Sequence, residues 1–349
     1  ELLRTMSTLL MDKGSLKEAK ILLMKAIEIN PNFAKAYDNL AQVMLDLSSL
    51  EEAKFYWKKA ISIDKNFERS IFKLSEILFL EGKYDEAIKY LVNNNSERCR
   101  TLLLSCILSL GDENKFYKKY HEFSSEQSCN ADLGSIVEHS NIIYKNNINS
   151  PFCNKSMEYI YKRKIDEALF SNRSLEELID FFNSEKIQYR AQKTLSEGVQ
   201  SAGNLFNYNY PFIKEIKDSL EVMIENYKKY FSNSSEGFLR RWPEKYELVA
   251  WMISMKNGGF LKPHNHGYGW ITGSFYLSLP KLEPSSNAGN IAFTYSGPSF
   301  PQNQDLFQTK IEKIETRDIC IFPSSLYHYT IPFNGKKERI CFVFDLIKK

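Results

Sequence analysis

The chain has 349 residues, and its 46 lysines and arginines against 43 aspartates and glutamates leave a formal net charge of only +3. At roughly 150 residues per domain, two or three domains are expected. The charge lacks the strongly basic balance of nucleic-acid-binding proteins, so no nucleic-acid partner is expected. No apolar run reaches the roughly 18 residues that span a bilayer, so no membrane partner is expected either.

The cysteines carry information about the compartment. The six cysteines are Cys99, Cys106, Cys129, Cys153, Cys320 and Cys341. None is in C-x-x-C spacing, and two lie in apolar, strand-like runs. This pattern predicts buried free thiols in a reducing compartment, and therefore a cytoplasmic protein. No signal peptide is recognisable. The chain begins at Glu1 inside a helical pattern, so we expect a trimmed natural N-terminus.

The first 95 residues repeat with a period of 34. Small and large apolar residues recur at that spacing: Ala19, Ala53 and Ala87; Leu23, Trp57 and Leu91; Leu40 and Leu74. Within each unit the apolar residues recur every three or four positions, as on paired amphipathic helices. The pattern resembles the tetratricopeptide repeat. It predicts an α-solenoid over residues 1–120, with a shortened last unit at 101–120.

Stacked helix pairs form a curved array whose concave surface commonly holds an extended peptide. The repeats therefore indicate a protein or peptide partner. The alternative is that they serve only as a dimerisation or spacing element.

Residues 121–185 are predicted to be a helical connector. The segments "GSIVEHSNIIYKNN" and "NKSMEYIYKRKIDEALF" have the composition of helices, and "NNINSPFCNK" has that of a turn.

The amino-acid pattern changes over residues 186–349. One long helix is predicted from "YPFIKEIKDSLEVMIENYKKYF", with Pro211 in its first turn. Short runs rich in β-branched and aromatic residues follow, separated by Gly, Pro, Asn and Ser: "YELVAWMISM", "GWITGSFYLSL", "GNIAFTY", "RDICIFP" and "RICFVFDL". Several short strands after one helix predict a sandwich or jelly roll with supporting helices.

Three of the five histidines lie at the edges of these strand runs. His264 and His266 are two apart, so in a strand they face the same side. His328 would join them from a distant strand, and Arg339 lies on the run after it. Histidines that leave coordination positions open are typical of non-haem Fe(II) oxygenases. A guanidinium matches a carboxylate with two parallel hydrogen bonds and stays charged.

Three segments strengthen this interpretation: "TLSEGVQSAGNLF", "PHNHGYGWITGSFYLSLP" and "FPSSLYHYTIPFNGKKERICFVFD". Together with the repeats, they resemble the bacterial branch of the 2-oxoglutarate/Fe(II) oxygenases in which tetratricopeptide repeats precede the oxygenase domain. The resemblance implies a double-stranded β-helix (jelly roll), Fe(II), the cosubstrates 2-oxoglutarate and dioxygen, and hydroxylation. It makes His264 and His328 metal ligands and Arg339 the residue that anchors the cosubstrate.

The sequence departs from the superfamily at one position. Where the general pattern is H-x-D, this chain has His266. Three interpretations stay open. His266 completes a three-histidine metal site; it lies near the metal while water fills the third position; or the site is inactive. An all-histidine site carries one more positive charge than the usual triad.

Other residues are assigned to the site with less specific signals. Tyr276 and Cys341, on strand runs, are predicted to contact the cosubstrate together with Arg339. Thr194, Gln200 and Trp270 are predicted to contact substrate. Each has a structural alternative, since aromatic residues on strands commonly pack in a core, and residues 194–206 can equally be a lead-in to the long helix.

The sequence thus predicts a 2-oxoglutarate-dependent dioxygenase, in which a protein or peptide substrate recruited by the repeats is hydroxylated. The alternatives are an oxygenase acting on a small molecule, a non-catalytic adaptor with a silent jelly-roll domain, and a cupin-like metal protein with another reaction.

Overall fold

The computed structural model describes residues 1–12, 15–124, 129–190, 192, 194–283, 285–303 and 305–349. The chain divides into two compact units, Glu1–Gln127 and Ser128–Lys349. No helix in these described ranges is both long and apolar enough to cross a bilayer. All six cysteines are free; Cys129 is partly exposed and the other five are buried.

The first unit consists of helices in antiparallel pairs. They are α1 (Leu2–Asp12), α2 (Leu16–Ile29), α3 (Ala34–Asp46), α4 (Leu50–Ile63), α5 (Glu68–Leu80), α6 (Tyr84–Leu91), α7 (Glu97–Ser109) and α8 (Glu113–Ser124). The predicted solenoid is confirmed, but its fourth unit is not shortened. Helix α7 has 13 residues, as many as α3 and α5.

The 34-residue period places small residues where helices cross. Ala19, Ala53 and Ala87 are completely buried, each on the second helix of its pair. An alanine at the crossing lets neighbouring helices approach closely, and larger apolar residues one turn later, such as Trp57, fill the remaining space. The repeat signal in the sequence is therefore a packing signal.

The first helices of three successive pairs share one face of this unit. The Nδ2 atom of Asn39 on α3 donates to Thr8 of α1 at 3.3 Å, and its Oδ1 accepts from Arg69 of α5 at 3.4 Å. Arg69 also forms an ion pair with the buried Asp38 at 3.2 Å. Its side chain is still 48% exposed, so this face presents a cation to solvent.

The second unit contains four helices and ten strands in its described part. The helices are α9 (Ala131–Ile143), α10 (Asn172–Phe182), α11 (Pro211–Tyr230) and the short α12 (Gly237–Arg240). The strands are β1 (Tyr161–Lys164), β2 (Tyr189–Arg190), β3 (Leu195–Ser201), β4 (Tyr246–His264), β5 (Ile271–Ser278), β6 (Ile291–Thr294), β7 (Thr309–Glu312), β8 (Asp318–Pro323), β9 (Tyr327–Thr330) and β10 (Arg339–Lys348).

The antiparallel strands follow the order β1-β8-β5-β10-β4-β9-β6-β7. The long strand β4 belongs to two layers. Its first half, from Tyr246 to Met255, pairs with β10, and its end, at Leu261 and His264, pairs with β9. One layer is therefore β8-β5-β10-β4 and the other β4-β9-β6-β7. This is the strand order of a double-stranded β-helix, as predicted.

Part of the predicted connector was misread. The segment 154–170, predicted as a helix, contains a 3-10 turn at Ser156–Tyr159 and then β1, which pairs with β8. Its local helical composition is overridden by pairing with β8, since strand formation depends on context more than on intrinsic propensity. The segment "GSIVEHSNIIYKNN" does form a helix, α9, and the strand runs and the long helix α11 are also confirmed.

Two apolar cores lie on opposite faces of the β10 layer. Phe342 and Phe344 pack with Ile216 and Leu220 of α11. Cys341 and Val343, at the alternate positions of β10, lie in the second core, together with residues from β9's layer such as Phe293. Because successive residues of a strand point to opposite faces, Arg339 and Asp345 face the same side as Cys341. That side is the interior of the β-helix.

Candidate metal and cosubstrate site

Three histidine rings meet at the open end of the β-helix. The ring centres of His264 and His328 lie 4.4 Å apart, and that of His266 lies 5.3 Å from His264 and 5.1 Å from His328. One nitrogen from each ring lies within 4.8 Å of the others, so the group can hold a metal ion. The three predicted ligands are therefore brought together.

Different local structures place these rings. His264 is the last residue of β4 and pairs directly with His328 on β9. His266 lies beyond the strand, where its backbone N–H donates to the carbonyl of Ser324 at 3.1 Å. The two neighbouring histidines thus converge through a turn after the strand, and not as alternate residues of one strand.

Each ring has its Nδ1 atom occupied by an acceptor. The Nδ1–H groups donate to the Lys262 carbonyl for His264 at 2.8 Å, to the Leu326 carbonyl for His328 at 3.2 Å, and to Asp345 Oδ1 for His266 at 2.7 Å. A histidine that binds metal through one nitrogen usually donates from the other in this way. The three Nε2 atoms are left as the lone-pair donors.

The environment favours neutral imidazoles, the form that binds metal. Desolvation lowers the pKa of His264 to about 4, and the neighbouring His266 adds to the shift. Burial also lowers the pKa of His328 well below its ordinary value, with further contributions from His264 and His266. At neutral pH these two imidazoles are therefore already in the form that binds a metal.

Helix α9 fixes the turn between the two neighbouring histidines. The Nδ2 atom of Asn265 donates to Asp132 Oδ1 and to Ser135 Oγ, both at 3.2 Å. Gly267 follows, and a Cβ atom there would overlap the carboxylate of Asp132. A glycine is thus required at this position if α9 is to hold the turn.

The three rings open into one cavity. The residues that line it include all three histidines, Arg339, Tyr276, Cys341, Trp251, Gln192, Leu261, Ile291 and Val343. The metal-binding nitrogens and the guanidinium therefore share one cavity.

Arg339 is buried without a compensating charge. It is 2% exposed, its Nε donates to the carbonyl of Gly289 at 2.9 Å, and its Nη1 lies 3.6 Å from Cys341 Sγ. In the ranges that the structure describes, no carboxylate forms an ion pair with it. Gly289 reaches this position with a φ of +71°, which glycine adopts without strain. A buried, unpaired cation is costly, and it marks a place for an anion.

The neighbours of Arg339 do not neutralise it. Burial raises the pKa of the Cys341 thiol and holds that of Tyr276 well above its usual range. Tyr276 therefore stays protonated, and its buried hydroxyl has no hydrogen-bond partner among the described residues. The guanidinium carbon lies 5.0 Å from the Tyr276 ring centre. An orphaned hydroxyl beside an unpaired guanidinium fits a carboxylate ligand.

The three residues predicted to contact substrate do not line this cavity. Trp270 lies in the core beside α11, where its Nε1 donates to the carbonyl of Phe238 at 2.7 Å. Gln200 is 1% exposed, and its amide oxygen accepts from Arg190 Nε at 2.8 Å. Thr194 accepts, through its carbonyl, the N–H of Lys262.

Sequence reasoning missed Gln192, Asp132 and Asp345. Gln192 lines the cavity, and Asp132 accepts a hydrogen bond from Asn265. Asp345 had a usable signal, because it is a lone acid in the apolar run "RICFVFDL". It also lies an even number of residues after Arg339, so both face the same side of a strand.

Comparison with known proteins agrees with this geometry. Residues 249–345 match the family described as "Putative 2OG-Fe(II) oxygenase". Residues 5–33 and 22–55 match tetratricopeptide-repeat families. The chain carries a 2OG-Fe(II) oxygenase domain behind tetratricopeptide repeats. Residues 46–115 also match the family "Anaphase-promoting complex, cyclosome, subunit 3". A search of curated protein sequences found no match.

Solved structures resemble each part. A prolyl-4-hydroxylase from Pseudomonas putida is 12% identical, with 54% of this chain and 92% of that chain covered and a TM-score of 0.38. HygX from Streptomyces hygroscopicus, with nickel and 2-oxoglutarate bound, is 10% identical over 54% of this chain and 83% of that chain, with a TM-score of 0.38. For the repeats, the TPR2B domain of yeast Sti1 in a pHsp70 complex is 22% identical over 36% of this chain and 95% of that chain, with a TM-score of 0.25.

Proposed function

We propose that the protein is an Fe(II)- and 2-oxoglutarate-dependent dioxygenase that hydroxylates its substrate. One observation carries the proposal: three imidazoles that each offer one nitrogen to a common point share a cavity with a buried guanidinium that has no anionic partner among the described residues. A metal site alone does not require that cation, and a structural arginine does not require the histidines. Their combination fits a metal-chelating dicarboxylate.

In this proposal, His264, His266 and His328 hold the metal through their Nε2 atoms. His266 is a ligand in its own right, because its Nδ1–H donates to Asp345 and leaves the other ring nitrogen for the metal. Its ring also lies beside the other two. Of the three interpretations of the H-x-H motif, this supports the three-histidine site. Bound iron, 2-oxoglutarate and dioxygen supply the oxidation of an unactivated carbon, with release of succinate and carbon dioxide.

The protein's own residues orient the cosubstrate and exclude water. Arg339 and the Tyr276 hydroxyl bind the carboxylate distal to the metal, with the fork of the guanidinium matched to its two oxygens. Apolar side chains, among them Leu261, Ile291 and Val343, line the cavity between them. Such a lining keeps bulk water from a reactive centre and strengthens the charge interactions within it.

The test is a binding and turnover assay on the full chain purified without oxygen. Fe(II) is added, 2-oxoglutarate affinity is measured, and slow succinate formation without substrate is followed after oxygen is admitted. We expect binding in the wild type that disappears in Arg339→Ala. Folded, iron-loaded protein that binds no 2-oxoglutarate would contradict the proposal, and it would favour a cupin-like metal protein. Failure to bind any metal would favour a silent adaptor.

We further propose that the substrate is a protein or peptide recruited by the repeats. The face shared by α1, α3 and α5, with the half-exposed Arg69, supports this assignment. In cell extract, target peptides would gain one oxygen atom with wild-type protein and not with His328→Ala. Arg69→Glu combined with Lys73→Glu, one turn further along α5, should weaken that modification while substrate-free succinate formation stays unchanged. Equal modification by the double variant would contradict recruitment by this face.

The free cysteines support a reducing compartment, so we propose a cytoplasmic location. For the domain organisation, we propose a repeat array over 1–120, a connector over 121–185 and an oxygenase domain over 186–349, with β1 and α9 of the connector packed as part of the second compact unit.

A further inference from the structure

A carboxylate lies directly behind one of the three histidines. Asp345, on the interior face of β10, is 9% exposed, and its Oδ1 atom accepts from His266 Nδ1 at 2.7 Å. The same oxygen accepts from the hydroxyl of Thr272 at 2.7 Å. The carboxylate is therefore buried and held in one orientation, on the side of the ring away from the cavity's free Nε2 atoms.

The surroundings of His266 are built to keep this contact. Ser324 binds His266 through its backbone, since its carbonyl accepts the His266 N–H at 3.1 Å, and its hydroxyl meets Thr272 Oγ1 at 2.7 Å. The ring of Trp251 stacks on the imidazole, with 5.5 Å between ring centres and 28° between planes. Backbone, hydroxyls and an aromatic ring thus leave His266 little freedom to turn.

Asp345 has no cation of its own. Within the described ranges no lysine or arginine pairs with it, and its Oδ1 atom contacts the His266 ring. A buried carboxylate without a cation is expensive to keep. The cost is offset if a positive charge lies just beyond the imidazole, because a metal bound at Nε2 would be attracted through the polarised ring.

We infer that Asp345 replaces, from behind His266, the negative charge that a carboxylate ligand supplies in the H-x-D pattern. The inference rests on the proposed function, since it concerns the same metal site. Asp345 is a positioning residue: it touches neither metal nor substrate but acts through His266. It orients the ring and makes Nε2 a stronger donor, and it removes the extra positive charge of a three-histidine site.

The charge and the geometry can be separated by Asp345→Asn. An asparagine oxygen can still accept the Nδ1–H bond, so a purely structural role predicts nearly unchanged metal affinity. Loss of the negative charge predicts weaker binding by about 10- to 100-fold, the range typical for partners of metal-binding histidines. It also predicts a higher Fe(III)/Fe(II) potential, because the oxidised ion is the more highly charged.

The experiment titrates Fe(II), and Co(II) as a spectroscopic probe, into the full chain without oxygen. The matched control is Asp318→Asn. Asp318 is a carboxylate of similar burial on β8, and its Oδ2 accepts the N–H of Glu315 at 2.8 Å. This control should bind metal within about threefold of the wild type. Asp345→Asn with wild-type affinity and potential would overturn the inference.

A second comparison uses His266→Asp, which restores the carboxylate ligand. If Asp345 supplies the missing charge, Asp345→Asn should weaken metal binding by less than about threefold in the His266→Asp background. In the wild-type background the same change should weaken it by about tenfold or more, and a double-mutant cycle measures the difference. An equal loss in both backgrounds would overturn the inference. If Asp345→Asn alone does not fold, the double variant decides, since binding tenfold weaker than in His266→Asp contradicts the inference.

Different results contradict the proposed function and the role of Asp345. A wild-type chain that binds no metal contradicts the proposed function. A wild-type chain that binds metal, beside an Asp345→Asn variant that binds it equally well, contradicts only the role of Asp345.

Discussion

The guanidinium of Arg339 lies over the ring of Tyr276, 5.0 Å from its centre, and both side chains bring hydrogen-bond donors into the histidine cavity. Neither residue has an anionic partner among the described residues, and the thiol of Cys341 beside them stays protonated because burial raises its pKa. The pair is therefore suited to bind an anion, because its positive charge is already buried away from water.

Arg339→Ala should remove this site while sparing the metal site. Leaving a bound carboxylate without its buried cation costs about 2–5 kcal/mol, so the dissociation constant of 2-oxoglutarate should rise at least about 30-fold. Isothermal titration with 2-oxoglutarate on Fe(II)-loaded protein measures it. Arg163→Ala, an exposed cation on β1, is the control. An Arg339→Ala variant that keeps wild-type affinity would remove Arg339 from the cosubstrate site.

His264→Ala and His328→Ala should each abolish metal-dependent succinate formation, because each removes one of the convergent imidazole nitrogens. Iron binding measured without oxygen should weaken by more than the about 10- to 100-fold that loss of a ligand's hydrogen-bond partner costs. His266→Asp should still bind iron, whereas His266→Ala should change the spectrum of the bound metal. An unchanged spectrum in His266→Ala would show that water, and not the imidazole, fills the third position.

Helix α9 should control the site from a distance. Asp132→Ala removes one of the two acceptors that hold Asn265 between the histidines, and metal affinity is expected to fall by about tenfold. Gly267→Ala should have a similar effect through a different atom, since its methyl group displaces the same carboxylate. If both variants keep their metal affinity, the turn holds its shape without α9.

His139 should make the second unit less stable in acid. Burial lowers its pKa to about 4, and the neutral ring accepts from Gly297 N and donates to the Pro301 carbonyl. The unfolded chain takes up a proton near the ordinary value of 6.5, and the folded chain does not until about 4. The free energy of unfolding should therefore decrease as the pH is lowered through this window, by roughly 1.4 kcal/mol for each pH unit.

Urea unfolding at about pH 7.5 and about pH 5 measures this effect. The loss attributable to His139 should be about 2 kcal/mol, and His139→Gln should remove it. The exposed His121, in the first unit, offers the comparison His121→Gln, which should leave the wild-type dependence in place. A wild-type slope retained by His139→Gln would show that other groups cause the acid sensitivity.

The sequence was sufficient to predict those elements and site residues whose signal is local or periodic. The 34-residue spacing of alanines predicted the helix pairs, and short runs rich in β-branched and aromatic residues predicted β4, β5 and β10. His264, His266 and His328 were recognisable because each ends or begins such a run, and Arg339 because it lies on the strand after His328.

What the sequence did not predict depends on contacts between distant segments. Asp132 and Asn265 are 133 residues apart, and Asp345 and His266 are 79 apart, so neither pair leaves a spacing signal. Strand β1 is a four-residue segment that becomes a strand only beside β8. Trp270 carries the right chemistry for a substrate contact, but its indole N–H is committed to Phe238, and only the packing decides that.

The 19-residue strand β4 belongs to both layers, and this limits the insertions and deletions that the strand can tolerate. Inserting or deleting one residue between its two pairing regions would invert every side chain downstream and turn His264 out of the cavity. The length of β4 is therefore under as much constraint as the identity of the histidine at its end.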